Sequence, residues 1–274
     1  MTKKPVKWAI FVRVAMATGL LIFLAGCRHD TPQGPELDVG DEKQSAAKVS
    51  EAENLYSGRA DMAKARGAVV SLRAARDADY GNYEAAWKLA RAAYFVGYHT
   101  DNRDESDDMF REGVAAGKAA IQLQPNKPDG HFWLAANYGG SATHSTLAGL
   151  STVQDIQNEM NTVLKLDEGY QNGSAYLGLG RLYLEAPRVL GGDPEKAVQN
   201  LEKGLKFGST NSLLRAYLAQ AYEEVNRDSD AKKQIETVES MTPDPNFLPE
   251  HQDALAKIKQ LKDKMAKAES IPAG

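Results

Sequence analysis

Residues 176–204 of this 274-residue chain read YLGLGRLYLEAPRVLGGDPEKAVQNLEKG. In this stretch Leu179, Gly180 and Tyr183 recur at helical spacing, and Ala197 begins a second helical pattern after a break. Small residues at such positions allow two antiparallel helices to pack closely. The stretch therefore predicts one helical hairpin.

The same pattern occurs in three other parts of the chain. Its markers are Trp87 and Tyr94 with Gly113, Leu134 with Tyr138, and Leu218 and Tyr222 with Ala231. The order of aromatic, small, Tyr and Ala positions is that of a tetratricopeptide repeat (TPR), a pair of antiparallel helices. After the last repeat, the amphipathic residues 255–265 predict a helix that caps the array. The sequence thus predicts an all-α fold: a TPR-type helical-hairpin solenoid of about four to five repeats with a C-terminal capping helix.

Three of the repeats are stretched at the same place. The spacing from the first-helix Tyr to the small residue of the second helix is nine in the last repeat, from Tyr222 to Ala231, but 14, 18 and 19 in the preceding ones. The extra length predicts long intra-repeat loops over roughly 95–108, 139–152 and 184–193. Because these turns share one edge of a solenoid, we expect the loops to lie side by side and form a shaped site. Neutral insertion at exposed turns is the alternative.

The N-terminus has the features of a lipoprotein signal peptide over residues 1–26. Four cations precede an apolar run, 14–25, and the run ends in Leu-Ala-Gly-Cys. This ending resembles the bacterial lipobox and predicts that Cys27, the only cysteine, carries diacylglycerol and a fatty acid such as palmitate. A membrane-spanning anchor needs roughly 20 apolar residues. Extending the run back to Trp8 would bury Arg13 in the membrane, so lipidation is favoured.

Composition bounds the remainder of the chain. Residues 27–44 contain Pro and Gly with few large apolar side chains and predict a flexible tether, followed by a TPR-like domain over 45–274. Arg28, rather than Asp, follows the cysteine, which favours the outer membrane and a domain that faces the periplasm. Removing residues 1–26 leaves 29 basic and 37 acidic residues, a formal charge of −8. This balance argues against binding to nucleic acid.

Two segments resemble one particular family. Residues 184–197, which include Leu-Gly-Gly-Asp at 190–193, are similar to a Pro-x2-Leu-Gly-Gly-Asp-x2-Lys-Ala stretch of TatT proteins, and residues 131–140 resemble the central repeat of that family. TatT proteins are TPR lipoproteins that accompany tripartite ATP-independent periplasmic (TRAP) transporters. The resemblance spans roughly residues 85–245. It implies an all-helical periplasmic lipoprotein that associates with a solute-binding protein for small organic acids, and it is compatible with a homotrimer.

Candidate binding residues lie on the first helices, which form the concave face of a solenoid. Lys88 and Arg181 come from different helices and could together hold a carboxylate, Arg181 through its planar fork. Phe132 could form an apolar wall, and the hydroxyl-rich stretch around His144 could donate hydrogen bonds. Solvated charges and ordinary repeat core are the alternatives at these positions. The full candidate set is Lys88, Phe132, Asn137, His144, Arg181 and Gln220.

No motif in the sequence supports catalysis or metal binding. The acidic run 101–108 lacks the glycine and alternating ligands of a calcium loop and is expected to be solvated and to cap the next helix. His131 and His144 have no third ligand at a zinc-like spacing. The Ser and His residues of 141–146 lack a Gly-x-Ser-x-Gly elbow. We expect no cofactor, no metal and no enzymatic activity.

Three functions follow, with different structural consequences. The leading hypothesis is a lipid-anchored periplasmic TPR protein that binds a partner protein and passes on a small organic acid; it predicts an enclosed, partly apolar pocket with Lys88 or Arg181 inside. The alternative is a general scaffold of envelope assembly with an open groove. A third and weaker hypothesis is an enzyme in the 139–152 loop, which requires a base close to Ser141 or Ser145.

Overall fold

The computed structural model describes residues 39–143 and 150–269, and all of them belong to one compact unit. These residues form 11 α-helices and two short 3-10 turns, and no β-strand occurs among them. The helices are α1 Val39–Ser57, α2 Met62–Ala78, α3 Tyr83–His99, α4 Arg103–Leu123, α5 Pro128–Thr143, α6 Leu150–Leu166, α7 Tyr170–Glu185, α8 Pro194–Gly204, α9 Ser212–Glu224, α10 Asp228–Ser240 and α11 Leu248–Glu269.

The first ten helices form five antiparallel hairpins that stack in chain order. The odd-numbered helix of each hairpin packs against its even-numbered partner, and each even-numbered helix packs against the first helix of the next hairpin. This is the stacking of a TPR-type solenoid, so the predicted fold class is confirmed. Within the described ranges, no helix is long and apolar enough to cross a membrane.

The N-terminal predictions fall mostly outside the described residues. The signal peptide over 1–26 and Cys27 lie there, and so does His144. The predicted tether over 27–44 and the domain beginning at 45 need one correction, because α1 already begins at Val39. Asp41 and Glu42 occupy its first turn, where negative charge interacts favourably with the positive end of the helix dipole.

Polar side chains cap the beginnings of five described helices. Asp61, Asn82, Asn102, Asp193 and Asn211 each accept a hydrogen bond from a backbone N–H in the first turn of α2, α3, α4, α8 and α9. Such bonds satisfy N–H groups that have no partner inside the helix. These local signals explain why the helices begin where they do.

The predicted long loops differ from one another in the structure. The stretch 95–108 is almost entirely helical, because α3 continues to His99 and α4 starts at Arg103. Its extra length therefore lengthens both helices, and the expectation of a long loop there is wrong. The stretch 139–152 includes the end of α5 and the start of α6, while its central residues 144–149 are outside the described part. The stretch 184–193 is a genuine loop.

The Leu-Gly-Gly-Asp loop uses its two glycines for different reasons. Gly191 has a φ of 103°, in the left-handed region that favours glycine. Gly192 has no room for a side chain, since a Cβ there would lie 1.9 Å from the carbonyl oxygen of Ala186. The backbone N–H of Asp193 donates to the carbonyl of Tyr183 at 2.8 Å, and the Asp193 side chain caps α8. This loop therefore returns the chain to α8 in one defined conformation.

The C-terminal segment does not continue the array. Helix α11 packs mainly along α9, a first helix, rather than on α10. The residues that face the last hairpins are buried: Ala254, Ile258, Leu261 and Met265. The segment before it, 241–247, runs towards the first two hairpins, where Arg59 donates to the backbone carbonyl of Asn246 at 2.7 Å. The predicted capping helix is thus present, and the segment that leads into it connects the end of the solenoid to its beginning.

Candidate ligand cavity

A cavity of about 510 Å³ lies between the first helices and the C-terminal segment. Helices α3, α5, α7 and α9 line it on one side, and residues 241–253 line it on the other. All three stretches that the spacing singled out contribute lining residues. Among these are Tyr98, His99, Gly140, Thr143, Pro187 and Leu190. The turns that the spacing singled out therefore border one common site.

Aromatic and aliphatic side chains form much of the cavity wall. Phe132 packs edge-on against Trp133, with ring centroids 4.9 Å apart, and in a tilted arrangement against Tyr170 at 5.2 Å. Ile156 and Met160 add an aliphatic surface from α6. The indole N–H of Trp133 is buried and has no hydrogen-bond partner within the described residues. A ligand in this cavity would meet a largely apolar surface.

Arg181 is the one Arg or Lys among the described residues that line the cavity, together with the carboxylates of Glu185, Asp244, Glu250 and Asp253. Its Nε donates to Glu185 Oε1 at 2.8 Å, and its Nη1 donates to the hydroxyl of Tyr94 at 3.2 Å. The guanidinium carbon lies 5.1 Å from the ring centroid of Tyr98 and 5.7 Å from that of Tyr217. Burial works to lower the pKa of Arg181, but the tyrosines and Glu185 raise it well above its ordinary value. The group is a permanent cation in an aromatic cage.

A second cation stands beside this cage. Lys257 of α11 places its Nζ 3.9 Å from the ring centroid of Tyr217. Burial lowers the pKa of Lys257, and the nearby charge of Arg181 lowers it further, against the opposing effect of Glu185. The hydroxyl of Tyr217 donates to Glu185 Oε1 at 3.3 Å. Arg181 and Lys257 thus lie near the two carboxylates Glu185 and Glu224, and only Arg181 of the two cations lines the cavity.

Of the predicted site residues that the structure describes, Phe132 and Arg181 alone line the cavity. Lys88 does not join them. Its ammonium pairs with Glu84 at 2.8 Å and lies 3.8 Å from Glu53. The proposed carboxylate clamp of Lys88 and Arg181 therefore does not form, because the two side chains point to different neighbours.

Two further candidates have other contacts. Gln220 donates to Glu224 on its own helix at 2.9 Å and does not line the cavity. Asn137 is fully buried, and its Nδ2 donates to the carbonyls of Ala90 at 3.0 Å and Trp133 at 2.7 Å. The hydrogen bond to Ala90 connects α5 to α3, and Asn137 does not line the cavity. His144 lies outside the described residues, so its role stays a prediction.

Most of the acidic run 101–108 belongs to the beginning of helix α4, with Asp104 and Glu105 in its first turn. Hydrogen bonds from Arg66 at 2.6 and 2.8 Å and from Thr100 lower the pKa of Glu105 to about 2. The His131 ring nitrogens are within hydrogen-bond distance of Glu159, at 2.5 Å, and of the carbonyl oxygen of Pro125, at 2.9 Å.

The part of the chain that the structure covers contains no group of three His, Cys, Asp or Glu residues that could hold a metal ion.

Sequence reasoning missed several lining residues. Tyr94 and Tyr98, like Arg181 and Glu185, are four residues apart on one helix, a spacing that places each pair on one face. The four-residue spacing could therefore have placed the members of each pair side by side from the sequence alone. Tyr217 was not predictable as part of the site, since its position depends on how α9 faces α7 and α11. Nor did any local pattern indicate that residues 241–253 would form a wall.

The array of TPR hairpins around a cavity defines the class of the protein as a TPR interaction protein. The chain belongs to the TRAP transporter T-component family, whose family model matches residues 86–267. This confirms the resemblance seen in the Leu-Gly-Gly-Asp loop and the central repeat. Membership and fold together support a protein-interaction role in TRAP transport, in the bacterial envelope.

Solved structures show similarity of fold. A thermophilic TPR protein of Thermus thermophilus shares 18% identity and a TM-score of 0.58, over 77% of this chain and 99% of that protein. PilF of Pseudomonas aeruginosa shares 14% identity and a TM-score of 0.52, over 82% of this chain and 93% of that chain. No curated protein sequence matches this chain.

Proposed function

We propose that this protein is a lipid-anchored, periplasm-facing component of TRAP transport that binds a periplasmic solute-binding protein and accepts a small organic acid in its cavity. The membrane anchor would be the lipid on Cys27, with the outer membrane as its site. Neither a catalytic step nor a cofactor is part of the proposal. A homotrimer, compatible with the family resemblance, is the proposed assembly.

One observation carries the ligand part of this proposal: Arg181 lies inside a largely apolar cavity. An organic acid has an apolar body and an anionic head. The wall formed by Phe132, Trp133 and Ile156 suits the body, and the guanidinium suits the head. Of the five N–H donors of Arg181, bonds to Glu185 and Tyr94 use two among the described residues, which leaves donors for a carboxylate.

The partner is tested by affinity purification after crosslinking in cells. A full-length chain with a C-terminal tag is purified from the envelope in detergent, and co-purifying proteins are identified by mass spectrometry. The matched control is the tagged segment 1–36, which retains the predicted signal and Cys27 but lacks the TPR hairpins. We expect a periplasmic solute-binding protein to be enriched only with the full chain. Enrichment of outer-membrane assembly or peptidoglycan factors instead would favour the alternative, a general envelope scaffold.

The anchor is tested by the substitution Cys27→Ser. Without the thiol no lipid can be attached, so we expect the protein to move from the membrane fraction to the soluble periplasmic fraction. A single acyl chain binds membranes only marginally, whereas several chains anchor stably, so the change should be nearly complete. The measurement is fractionation followed by immunodetection. Persistent membrane association of the variant would instead support an anchor that spans the membrane.

A further inference from the structure

The segment 241–253 crosses from the last hairpin to the first two and is bound there by polar contacts. Arg59, at the turn between α1 and α2, donates from Nη2 to the Asn246 carbonyl at 2.7 Å and to both Glu250 carboxylate oxygens at 2.9 and 2.8 Å. The Arg59 side chain is only 7% exposed. It also lies over the rings of Tyr56 and Phe95, at 4.9 and 5.6 Å from their centroids. The three oxygen atoms that accept hydrogen bonds from Arg59 all belong to the segment 241–253.

A second contact joins the same segment to α3. His99 Nε2 lies 3.2 Å from Asp253 Oδ2, and its Nδ1 lies 2.9 Å from the carbonyl oxygen of Phe95. Both neighbours are acceptors, so a protonated imidazole can donate to each. Burial lowers the pKa of His99, but the bonds to Asp253 and Phe95 and the charges of Asp253 and Glu250 outweigh it and raise the pKa.

The ends of the segment are held more firmly than its middle. Helix α10 ends at Ser240, and from Ala254 onward α11 buries Ile258 and Leu261 against the last hairpins. Between these anchors, the side chains of 244–248 are exposed, whereas Pro249 and His251 at the start of α11 are buried. The exposed stretch 244–248 buries little surface of its own, so the bonds of Arg59 to Asn246 and Glu250 contribute to its attachment.

We propose that residues 241–253 form a clasp that closes the cavity, and that the clasp must detach from Arg59 and His99 for a ligand to enter or leave. The clasp is itself a wall of the cavity, through residues such as Met241, Phe247 and Glu250. Residues 248–253 are the first turns of α11, so detachment requires these turns to separate from Arg59 and His99 while α11 from Ala254 onward stays packed. The inference rests on the proposed function in one respect, namely that the ligand occupies this cavity.

The test uses the full-length chain with Cys27→Ser and Met160→Cys, so that the only thiol lies in the cavity wall. The clasp is released by Glu250→Ala with Asp253→Ala. The matched control is Asp263→Ala, an exposed carboxylate of the same helix. Two quantities are measured: amide hydrogen exchange in 241–253, and the rate at which N-ethylmaleimide modifies the introduced thiol.

We expect the double substitution to accelerate both exchange in the clasp and thiol modification by about tenfold or more, with α9 exchange unchanged and the control like the parent. Unchanged exchange would show that Glu250 and Asp253 do not hold the segment. Faster exchange with an unchanged modification rate would show that the segment is not the gate. Neither readout uses a ligand. A failure of organic-acid binding is therefore recognised separately, by titration with an anionic aromatic probe, 1-anilinonaphthalene-8-sulfonate.

The His99 contact gives the clasp a pH dependence with a defined sign. Because the pKa of His99 is raised above 6.5, its contribution is complete below that pH and is lost as the pH rises through the folded-state pKa. The groups that face the ring are Asp253 and Glu250 from α11 and Tyr98 from α3. Clasp exchange, corrected for intrinsic rates, should rise as the pH is raised above about 6.5. If exchange in the His99→Gln variant rises with pH in the same way, His99 is not the group that makes clasp attachment depend on pH.

Discussion

Replacing Arg181 by Met is expected to weaken binding of a small organic carboxylate, or of 1-anilinonaphthalene-8-sulfonate, by roughly 10- to 100-fold. A hydrogen bond to a charged group contributes about 1.5–3 kcal/mol, and about 1.4 kcal/mol corresponds to a factor of ten. Met retains much of the length and the apolar stem of the side chain but none of its donors. The affinity is measured by fluorescence or calorimetric titration.

The chain offers a matched control for this experiment. Lys88→Met removes a cation from another first helix, yet Lys88 is engaged by Glu84 and Glu53 away from the cavity. We expect its affinity to equal that of the parent protein. Equal losses in both variants would point to a general effect of net charge rather than to a binding group.

Arg181→Met also leaves Glu185 without its closest cation, so a local structural effect has to be separated from lost binding. The variant Arg181→Met with Glu185→Gln removes both charges and keeps the shape of the pair. If the Arg181 guanidinium binds the ligand, the double variant remains weak even when its melting temperature recovers. Recovery of affinity together with the melting temperature would contradict a direct role for Arg181.

The second large effect is expected for Gly140→Ala in α5, which should destabilise the fold by about 1–3 kcal/mol. A Cβ at this position would lie 2.2 Å from Cε1 and 2.5 Å from Cδ1 of Phe110. The Phe110 ring is buried and cannot move towards α3, because it already lies against Gly97, where a Cβ would be 2.9 Å from Cε1. The added methyl group therefore has to displace a helix.

The preceding residue supplies the control, with an effect of opposite sign. Gly139 belongs to the same helix, but a Cβ there would meet no atom within 4 Å. Gly139→Ala should stabilise the protein by about 0.5–1 kcal/mol, because alanine loses less backbone entropy than glycine in a helix. Thermal unfolding followed by circular dichroism distinguishes the two, at about 2–4 °C per kcal/mol for a domain of this size. Shifts of the same sign would contradict the described packing of Phe110.

Local patterns were sufficient for the hairpins and for the close contacts within them. Gly180, singled out as a small position, packs so tightly that a Cβ would lie 2.4 Å from Cγ of Leu201. The helix starts at Asn102 and Asp193 also depend on local contacts, because capping involves the side chain and the backbone of the next turn. The spacing between the repeat markers Tyr94 and Gly113 wrongly predicted a long loop over 95–108. Extra residues can lengthen two helices as easily as one loop.

The amino-acid sequence by itself determined the class of helices, the small residues between them and the family of the protein. Each of these depends on residues that are near one another in the chain. Only the tertiary structure shows that the Arg181 side chain lines the cavity and that the Lys88 side chain does not. It also shows that residues 241–253 form one wall of the cavity. Arg59 and Glu250 are 191 positions apart. Such a contact depends on how five hairpins stack on one another, so no local periodicity could indicate it.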